Sequence, residues 1–192
     1  MSAQSNNHTS DEYLRAATVG ERKPLNSTVH LEPYNPEWPR QFALHANGIR
    51  KALGEKVLLL EHVGSTSVPG LSAKPIIDMI LAVSNSADEP SYVPDLESIG
   101  FVLRIREPEW YEHRMLNAPG TDGNLHVFTI GCKEISRMLA FRDRLRTHDR
   151  DRRLYEETKR QLAARIWKDI QHYADSKSET IQEILARVQD LA

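Results

Sequence analysis

A loop rich in glycine and serine separates two apolar segments, and it constrains the fold more than any other feature of this chain. The apolar segments, residues 57–63 and 75–83, are suited to buried strands. The loop between them begins with Gly64, Ser65, Thr66 and Ser67. A glycine followed by three hydroxyl residues lets backbone N–H groups and side-chain hydroxyls turn toward one anion. The unit therefore predicts two core strands that flank a phosphate-binding loop.

Two charged residues complete this unit. Lys74 supplies a compact positive charge just before the second strand. Asp78 lies within that strand among isoleucines and a methionine, where a carboxylate is costly unless it is paired or binds a metal ion. Asp78 could thus pair with Lys74 or the loop hydroxyls, or it could serve a functional site. The combination of loop, lysine and carboxylate in one unit favours the functional role.

The stretch HVGSTSVPGLSAKPIIDMILAV closely resembles the signature of the GrpB family, within the nucleotidyltransferase superfamily. Further matches lie in LEPYNPEW at 31–38, LHV at 125–127 and FRDRLR at 141–146, and at Tyr155 and Lys159. The resemblance covers about residues 29–170. It implies an α+β fold in which a mixed β-sheet is backed by helices and followed by a C-terminal helical extension.

The resemblance also implies a function. The loop and Lys74 would bind a nucleoside triphosphate, and strand carboxylates including Asp78 would bind Mg²⁺ for in-line nucleotidyl transfer to an acceptor. One position departs from this pattern, because Ile80 stands where the superfamily has the second aspartate of an Asp-x-Asp pair. Isoleucine cannot bind a metal ion. A compensating ligand would have to come from Glu109, Glu112, Asp122, Asp143 or His126.

Five further residues are candidates for the same site. His126 lies on a predicted strand and could contact phosphate, bind a metal ion or act as a general base, or be structural. Arg142 and Arg146 share a helix face and could bind a phosphate, or form a solvated salt-bridge surface. Tyr155 and Lys159, one helical turn apart, could form a stacking and phosphate-binding edge or cap a helix pair. The resemblance favours the functional roles of His126, Arg142 and Arg146.

Length and composition predict one domain. The chain has 192 residues, of which 40% are hydrophobic, enough to form one core. Residues 1–28 are polar and are predicted to be a partly disordered extension, and residues 29–192 to be the single domain. Helices are predicted from about residue 133, at 135–147, 151–174 and 178–192.

Charge and cysteine content restrict the partners. The formal net charge of −2 predicts neither nucleic-acid nor membrane binding. The chain has one cysteine and no apolar run near 18 residues, which predicts a cytoplasmic protein without an intramolecular disulfide. Cys132 is predicted to be a buried structural thiol rather than a nucleophile.

Three hypotheses for function follow. The first is a nucleotidyltransferase-like enzyme that binds a nucleoside triphosphate and Mg²⁺. The second, motivated by Ile80, is a catalytically inactive module that binds a nucleotide or another phosphorylated metabolite. GrpB-like domains occur fused to dephospho-CoA kinase, which links this hypothesis to coenzyme A metabolism. The third is a structural or partner-binding protein. The sequence leaves the nucleotide base, the acceptor and the oligomeric state open.

Overall fold

Five strands form one mixed sheet in the computed structural model, which describes residues 10–22 and 25–189. They are β1 (Leu59–Val63), β2 (Ile77–Val83), β3 (Val102–Glu107), β4 (His113–Asn117) and β5 (Gly123–Thr129). The order across the sheet is β1-β2-β5-β4-β3. β2 and β5 pair in parallel, and the other neighbouring strands pair antiparallel. The two apolar segments around the loop are therefore β1 and β2, as predicted.

Helices precede the sheet, connect its strands and follow it. Within the described ranges they are α1 (Asp11–Ala17), α2 (Trp38–Leu53), α3 (Val93–Ser98), α4 (Lys133–Thr147), α5 (Asp149–Ala163), α6 (Ile170–Asp175) and α7 (Ser178–Gln189). The predicted α+β class, with a mixed sheet backed by helices, is confirmed. None of the described helices combines the length and apolar composition that a membrane span requires.

The prediction of one helix over residues 151–174 is wrong, because the chain is not helical between α5 and α6. Trp167 pairs with Ser27 in an isolated β-bridge, and its indole Nε1 donates to the carbonyl of Leu162 at 2.8 Å. The Asp169 carboxylate then accepts from the backbone N–H of Gln171 at 2.9 Å and caps α6. Pairing with a segment more than a hundred residues away thus interrupts a local helical pattern.

The alternation of side chains along β2 separates the core from the candidate site. Ile77, Met79 and Leu81 pack in the cluster that contains Trp38 and Leu96 from α2 and α3. Asp78 and Ile80 point to the opposite face. On that face Ile80 packs with Val63, Phe128 and Ile135 of α4. Asp78 therefore lies on the face of the sheet that the C-terminal helices cover.

The C-terminal helices pack on the loop that follows β1. Val68 and Leu71 of this loop form a cluster with Leu145 of α4, Tyr155 of α5 and Ile184 of α7. These contacts bring residues from the last third of the chain to the side of Asp78. The site is thus assembled from the first two strands and the C-terminal helices.

The described part of the N-terminal segment contacts the sheet edge. Thr18 forms a β-bridge with Ile105 of β3, and the backbone N–H of Val19 donates to the carbonyl of Arg104 at 2.7 Å. Residues 1–9, 23–24 and 190–192 lie outside the described residues. The partial disorder of residues 1–28 and the domain boundary at residue 29 stay predictions.

Candidate phosphate-binding site

The phosphate loop (residues 64–67) begins at Gly64, immediately after β1. Gly64 has φ 67° and ψ −174°, a conformation that only glycine adopts readily. A Cβ atom on Gly64 would lie 2.5 Å from Oδ2 of Asp78. Glycine is therefore required both by the backbone conformation and by the close approach of the loop to the carboxylate.

Two of the three loop hydroxyls stabilise the loop itself. Thr66 Oγ1 donates to the carbonyl of Ile76 at 3.0 Å. Because its hydrogen is used there, Thr66 Oγ1 accepts from Nε2 of His62, which lies 3.1 Å away. Ser67 Oγ donates to the carbonyl of Gly64 at 2.7 Å. Ser65 is half-buried and hydrogen-bonds to Tyr155, whose pKa is raised to about 12 by burial. Thr66 and Ser67 thus fix the loop, and Ser65 links it to Tyr155 of α5.

Asp78 is held in place by a row of amides across the sheet. Asn124 Nδ2 donates to Asp78 Oδ1 at 3.0 Å, and Asn117 Nδ2 donates to Asn124 Oδ1 at 2.9 Å. Burial raises the pKa of Asp78, against the opposing effects of Asn124, Lys74 and Lys177. The Asp78 side chain still keeps 30% of its accessible surface, so a ligand can reach the carboxylate.

Two lysines, Lys74 and Lys177, interact with this carboxylate, and Lys159 lies next to Lys177. Burial lowers the pKa of Lys74, Lys159 and Lys177. The pKa falls to about 8 for Lys177 and to about 7 for Lys159. The Asp78 carboxylate opposes this lowering of the pKa at Lys74 and at Lys177. The charge of Lys177 lowers the pKa of Lys74 and of Lys159 further. The Lys159 ammonium donates to the carbonyl of Ser72. A bound anion would stabilise the charged form of all three lysines.

Lys177 is a site residue that sequence reasoning missed. It lies between α6 and α7, far along the chain from Asp78, and its Nζ is 4.5 Å from the centroid of the Tyr173 ring. The sequence signal at this position was a polar break between helices, which is typical of a surface turn. Only the packing of α7 on α4 and α5 places Lys177 beside the loop.

His126 ends a hydrogen-bonded chain of side chains that leads to Asp78. Glu107 Oε2 is 2.6 Å from His113 Nδ1, and His113 Nε2 is 3.0 Å from His126 Nδ1. Since the carboxylate can only accept, His113 carries a hydrogen on Nδ1. His126 Nε2 lies 4.0 Å from Asp78 Oδ1. Burial lowers the pKa of His126 to about 3, which favours its neutral imidazole.

The residues around Asp78 do not fit a two-metal centre. Ile80 is fully buried among apolar side chains. Asp143 binds Arg142 at 2.8 Å, Asp122 lies 3.3 Å from His45, and Glu109 and Glu112 are exposed. His126 Nε2 lies 4.0 Å from Asp78 Oδ1. Among the described residues, no group of three or more His, Cys, Asp or Glu side chains is arranged to hold a metal ion. One Mg²⁺ ion, which needs only one or two protein carboxylates beside phosphate and water oxygens, fits Asp78.

Arg142 and Arg146 lie at other parts of the loop. Arg142 lines a small cavity of about 150 Å³ with Gly64, Ser65 and Tyr155. Its Nη1 donates to Glu61 Oε2 at 2.7 Å and to the carbonyl of His62 at 3.0 Å. Arg146 Nε donates to the carbonyl of Ser67 at 3.0 Å. Both arginines also line a separate cleft that contains neither Gly64 nor Asp78.

Comparisons with known proteins agree with this architecture. The family model described as GrpB protein matches residues 28–187. A UPF0157 protein from Halalkalibacterium halodurans is 57% identical to this chain, and the match covers 92% of this chain and 91% of the relative. A dephospho-CoA kinase from Mycolicibacterium paratuberculosis is 29% identical over 92% of this chain, which spans about half (50%) of that kinase. The crystal structure of the conserved protein GrpB from Enterococcus faecalis superposes with a TM-score of 0.69 and 31% identity, and covers 83% of this chain and 96% of that one. The chain therefore belongs to the GrpB family.

Proposed function

We propose that this protein binds the phosphate groups of a nucleoside triphosphate or another phosphorylated small molecule at a loop–lysine site. The site consists of the phosphate loop with Lys74, Lys159 and Lys177. The observation that carries the proposal is the placement of Lys74 and Lys177 against one reachable carboxylate beside a glycine-led loop, with Lys159 next to Lys177. A phosphate anion balances this excess of positive charge, and ammonium groups are strong point-charge partners for it.

The proposal includes one Mg²⁺ ion at Asp78. Magnesium is commonly held by one or two carboxylates and by the phosphates of its substrate, so a single aspartate beside a phosphate site suffices. When bound, the ion would neutralise charge on the phosphate oxygens. The chain itself positions Asp78 through Asn124 and supplies the lysines for the remaining phosphate charge.

Binding without catalysis is the function that this geometry supports best. Two-metal nucleotidyl transfer requires carboxylates that bridge both ions, and Ile80 occupies the place of the second one. Transfer remains a second candidate because of one specific observation: His126 Nε2 lies 4.0 Å from Asp78 Oδ1, where the hydroxyl of an acceptor could contact the imidazole.

The choice of phosphorylated ligands to test follows from the comparisons. Similarity to a dephospho-CoA kinase extends over most of this chain. Coenzyme A precursors carry phosphate groups, as nucleoside triphosphates do. Both classes are therefore candidate ligands of the loop–lysine site.

Isothermal titration calorimetry tests the proposal directly. The wild-type protein is titrated with each nucleoside triphosphate and with dephospho-CoA, with and without Mg²⁺. We expect at least one ligand to bind, and Lys74→Met to weaken it about tenfold by removing a charged hydrogen-bond donor. Lys56→Met serves as a matched control, because Lys56 is exposed and pairs with Asp95 at 2.7 Å away from the loop. Failure of every ligand to bind, or equal losses in both variants, would contradict the proposal.

A further inference from the structure

A cleft beside the phosphate loop has the composition of a second ligand site. We call it the arginine cleft, because Arg142, Arg146 and Arg152 line it. Its volume is about 630 Å³, within the range of about 300–1,000 Å³ that small-molecule sites occupy. Its lining includes Tyr34, Pro39, Phe42 and Pro69, together with Arg146 and Arg152. An apolar wall thus stands together with two cationic groups.

The three arginines of the cleft differ in how firmly they are held. Arg142 is only 10% exposed and is bonded to Glu61, to the His62 carbonyl and to Asp143. Its hydrogen bonds are therefore committed to the protein, and through the 2.7 Å contact it also neutralises Glu61, the carboxylate of the cleft. Arg142 forms part of the wall rather than a free anion contact.

Arg146 and Arg152 are paired with carboxylates that solvent reaches. Arg146 Nη1 lies 3.5 Å from Asp143, which is 54% exposed. Arg152 pairs with Asp149, which is 65% exposed. Surface ion pairs of this kind contribute little to stability, so an anion in the cleft can replace them at little cost.

Arg142 and Arg146 lie close enough to repel each other and to affect His62. Burial and the neighbouring Arg142 hold the pKa of Arg146 below its ordinary value. Burial, followed by Arg146 and Arg142, lowers the pKa of His62 to about 4. His62 is therefore neutral at physiological pH, and the arginines set the charge of the cleft. A ligand with a negative group would relieve the repulsion between them.

The aromatic wall is fixed by packing. The ring of Phe42 stacks on His62 with centroids 4.9 Å apart and an interplanar angle of 8°. Tyr34 packs edge-on against the buried Trp38 at 5.4 Å and 86°. Because contacts within the protein already fix these rings, a flat apolar group of a ligand can pack against them at a low cost in conformational entropy.

We propose that the arginine cleft binds a small organic anion, a phosphate or carboxylate attached to a flat apolar group, at a second site that adjoins the loop–lysine site at Ser67. Arg146 and Arg152 bind the anionic group, and Tyr34 and Phe42 pack against the apolar group. The proposal does not depend on whether the loop–lysine site binds a nucleotide.

Calorimetric titration with two simple probes tests this assignment. Phenyl phosphate and benzoate carry the same ring with different anions, and inorganic phosphate carries the anion without the ring. We expect either aromatic probe to bind more tightly than inorganic phosphate, and Arg152→Met to weaken it about tenfold. The ranking of the two aromatic probes distinguishes a phosphate ligand from a carboxylate ligand.

Two control variants make the result decisive. Arg150→Met removes an exposed arginine from the same helix and should change the affinity less than twofold. Lys74→Met tests the loop–lysine site and should leave the aromatic probe bound. The proposal is overturned if neither aromatic probe binds, if Arg152→Met leaves its affinity unchanged, or if Lys74→Met abolishes it. The last result would place the probe in the loop–lysine site.

Discussion

Gly64 and Asp78 are in direct contact, since a Cβ atom placed on Gly64 would lie 2.5 Å from Oδ2 and 2.9 Å from Cβ of Asp78. The loop that follows β1 therefore begins on top of the one carboxylate of β2. This contact couples the conformation of the phosphate loop to the side chain that the proposal assigns to magnesium.

Gly64→Ala should be strongly destabilising. The variant combines a positive φ with a steric overlap against Asp78, and we expect a loss of about 2–4 kcal/mol in the free energy of unfolding. Gly70→Ala is the matched control, because Gly70 also has a positive φ of 79° but has open space around a Cβ atom. Urea denaturation of both variants separates the two contributions. Equal losses would show that the contact with Asp78 carries no cost.

Asp78→Asn should change how phosphate binding depends on magnesium. The amide keeps the shape of the side chain and can still accept from Asn124, so the fold is expected to remain intact. Magnesium should no longer improve the affinity, whereas affinity without metal should hold or rise because a negative charge has gone. Calorimetric titrations with and without Mg²⁺ measure both effects, and Asp88→Asn, at an exposed position, is the control. A variant that keeps the full magnesium effect would refute the metal role of Asp78.

Lys177→Met should separate binding from stability. Burial disfavours the ammonium of Lys177 and lowers its pKa to about 8, so its removal should preserve or raise the melting temperature. The same change should weaken phosphate binding about tenfold, because a charged donor is lost from the site. Thermal unfolding and calorimetry on the same sample test both statements. A loss of stability without a loss of affinity would assign Lys177 a structural role.

Ile80→Asp should fail to restore a second metal ligand. Ile80 is fully buried and packs with Val63, Phe128 and Ile135, so a carboxylate at this position would be desolvated among apolar side chains. We expect a loss of more than about 4 kcal/mol in the free energy of unfolding, against about 1 kcal/mol for Ile80→Val. Denaturation curves for the two variants provide the comparison. A folded aspartate variant with stronger magnesium binding would revive the two-metal hypothesis.

His62 should make the protein less stable in acid. Its pKa is about 4 in the folded state, mainly because of burial, and about 6.5 in the unfolded chain. Between these values the unfolded chain binds more protons, so stability is fully present above pH 6.5 and is lost as the pH falls toward 4. The contribution of His62 is on the order of 3 kcal/mol at its full extent.

His62→Gln provides the measurement for this pH dependence. Glutamine can keep a donor toward Thr66 but does not titrate, so the fall in stability between pH 6.5 and 4 should become shallower. Some slope should remain, because the pKa of His126 is also lowered by burial. Denaturant midpoints across this pH range test the expectation, and identical slopes for wild type and variant would show that His62 is not responsible.

Local patterns in the sequence predicted the strand–loop–strand unit on which the candidate site is built. Two apolar segments around a glycine-led loop predicted β1 and β2, because strand burial and a positive φ at glycine leave a signal within a few residues. The same stretch predicted the family and the α+β class. It also set Asp78 against the loop, since both belong to one strand–loop–strand unit.

Tertiary structure decided which distant side chains complete the site. Packing of α7 against the loop brought Lys177 to Asp78, and pairing of β4 with β5 placed His113 beside His126. Pairing of Trp167 with Ser27 divided a predicted helix into α5 and α6. These outcomes depend on contacts between residues far apart in the chain, whose burial and charge are fixed only when the core assembles. The sequence by itself predicted the loop, its carboxylate, Lys74 and His126, and the fold alone brought Lys177 and His113 to them.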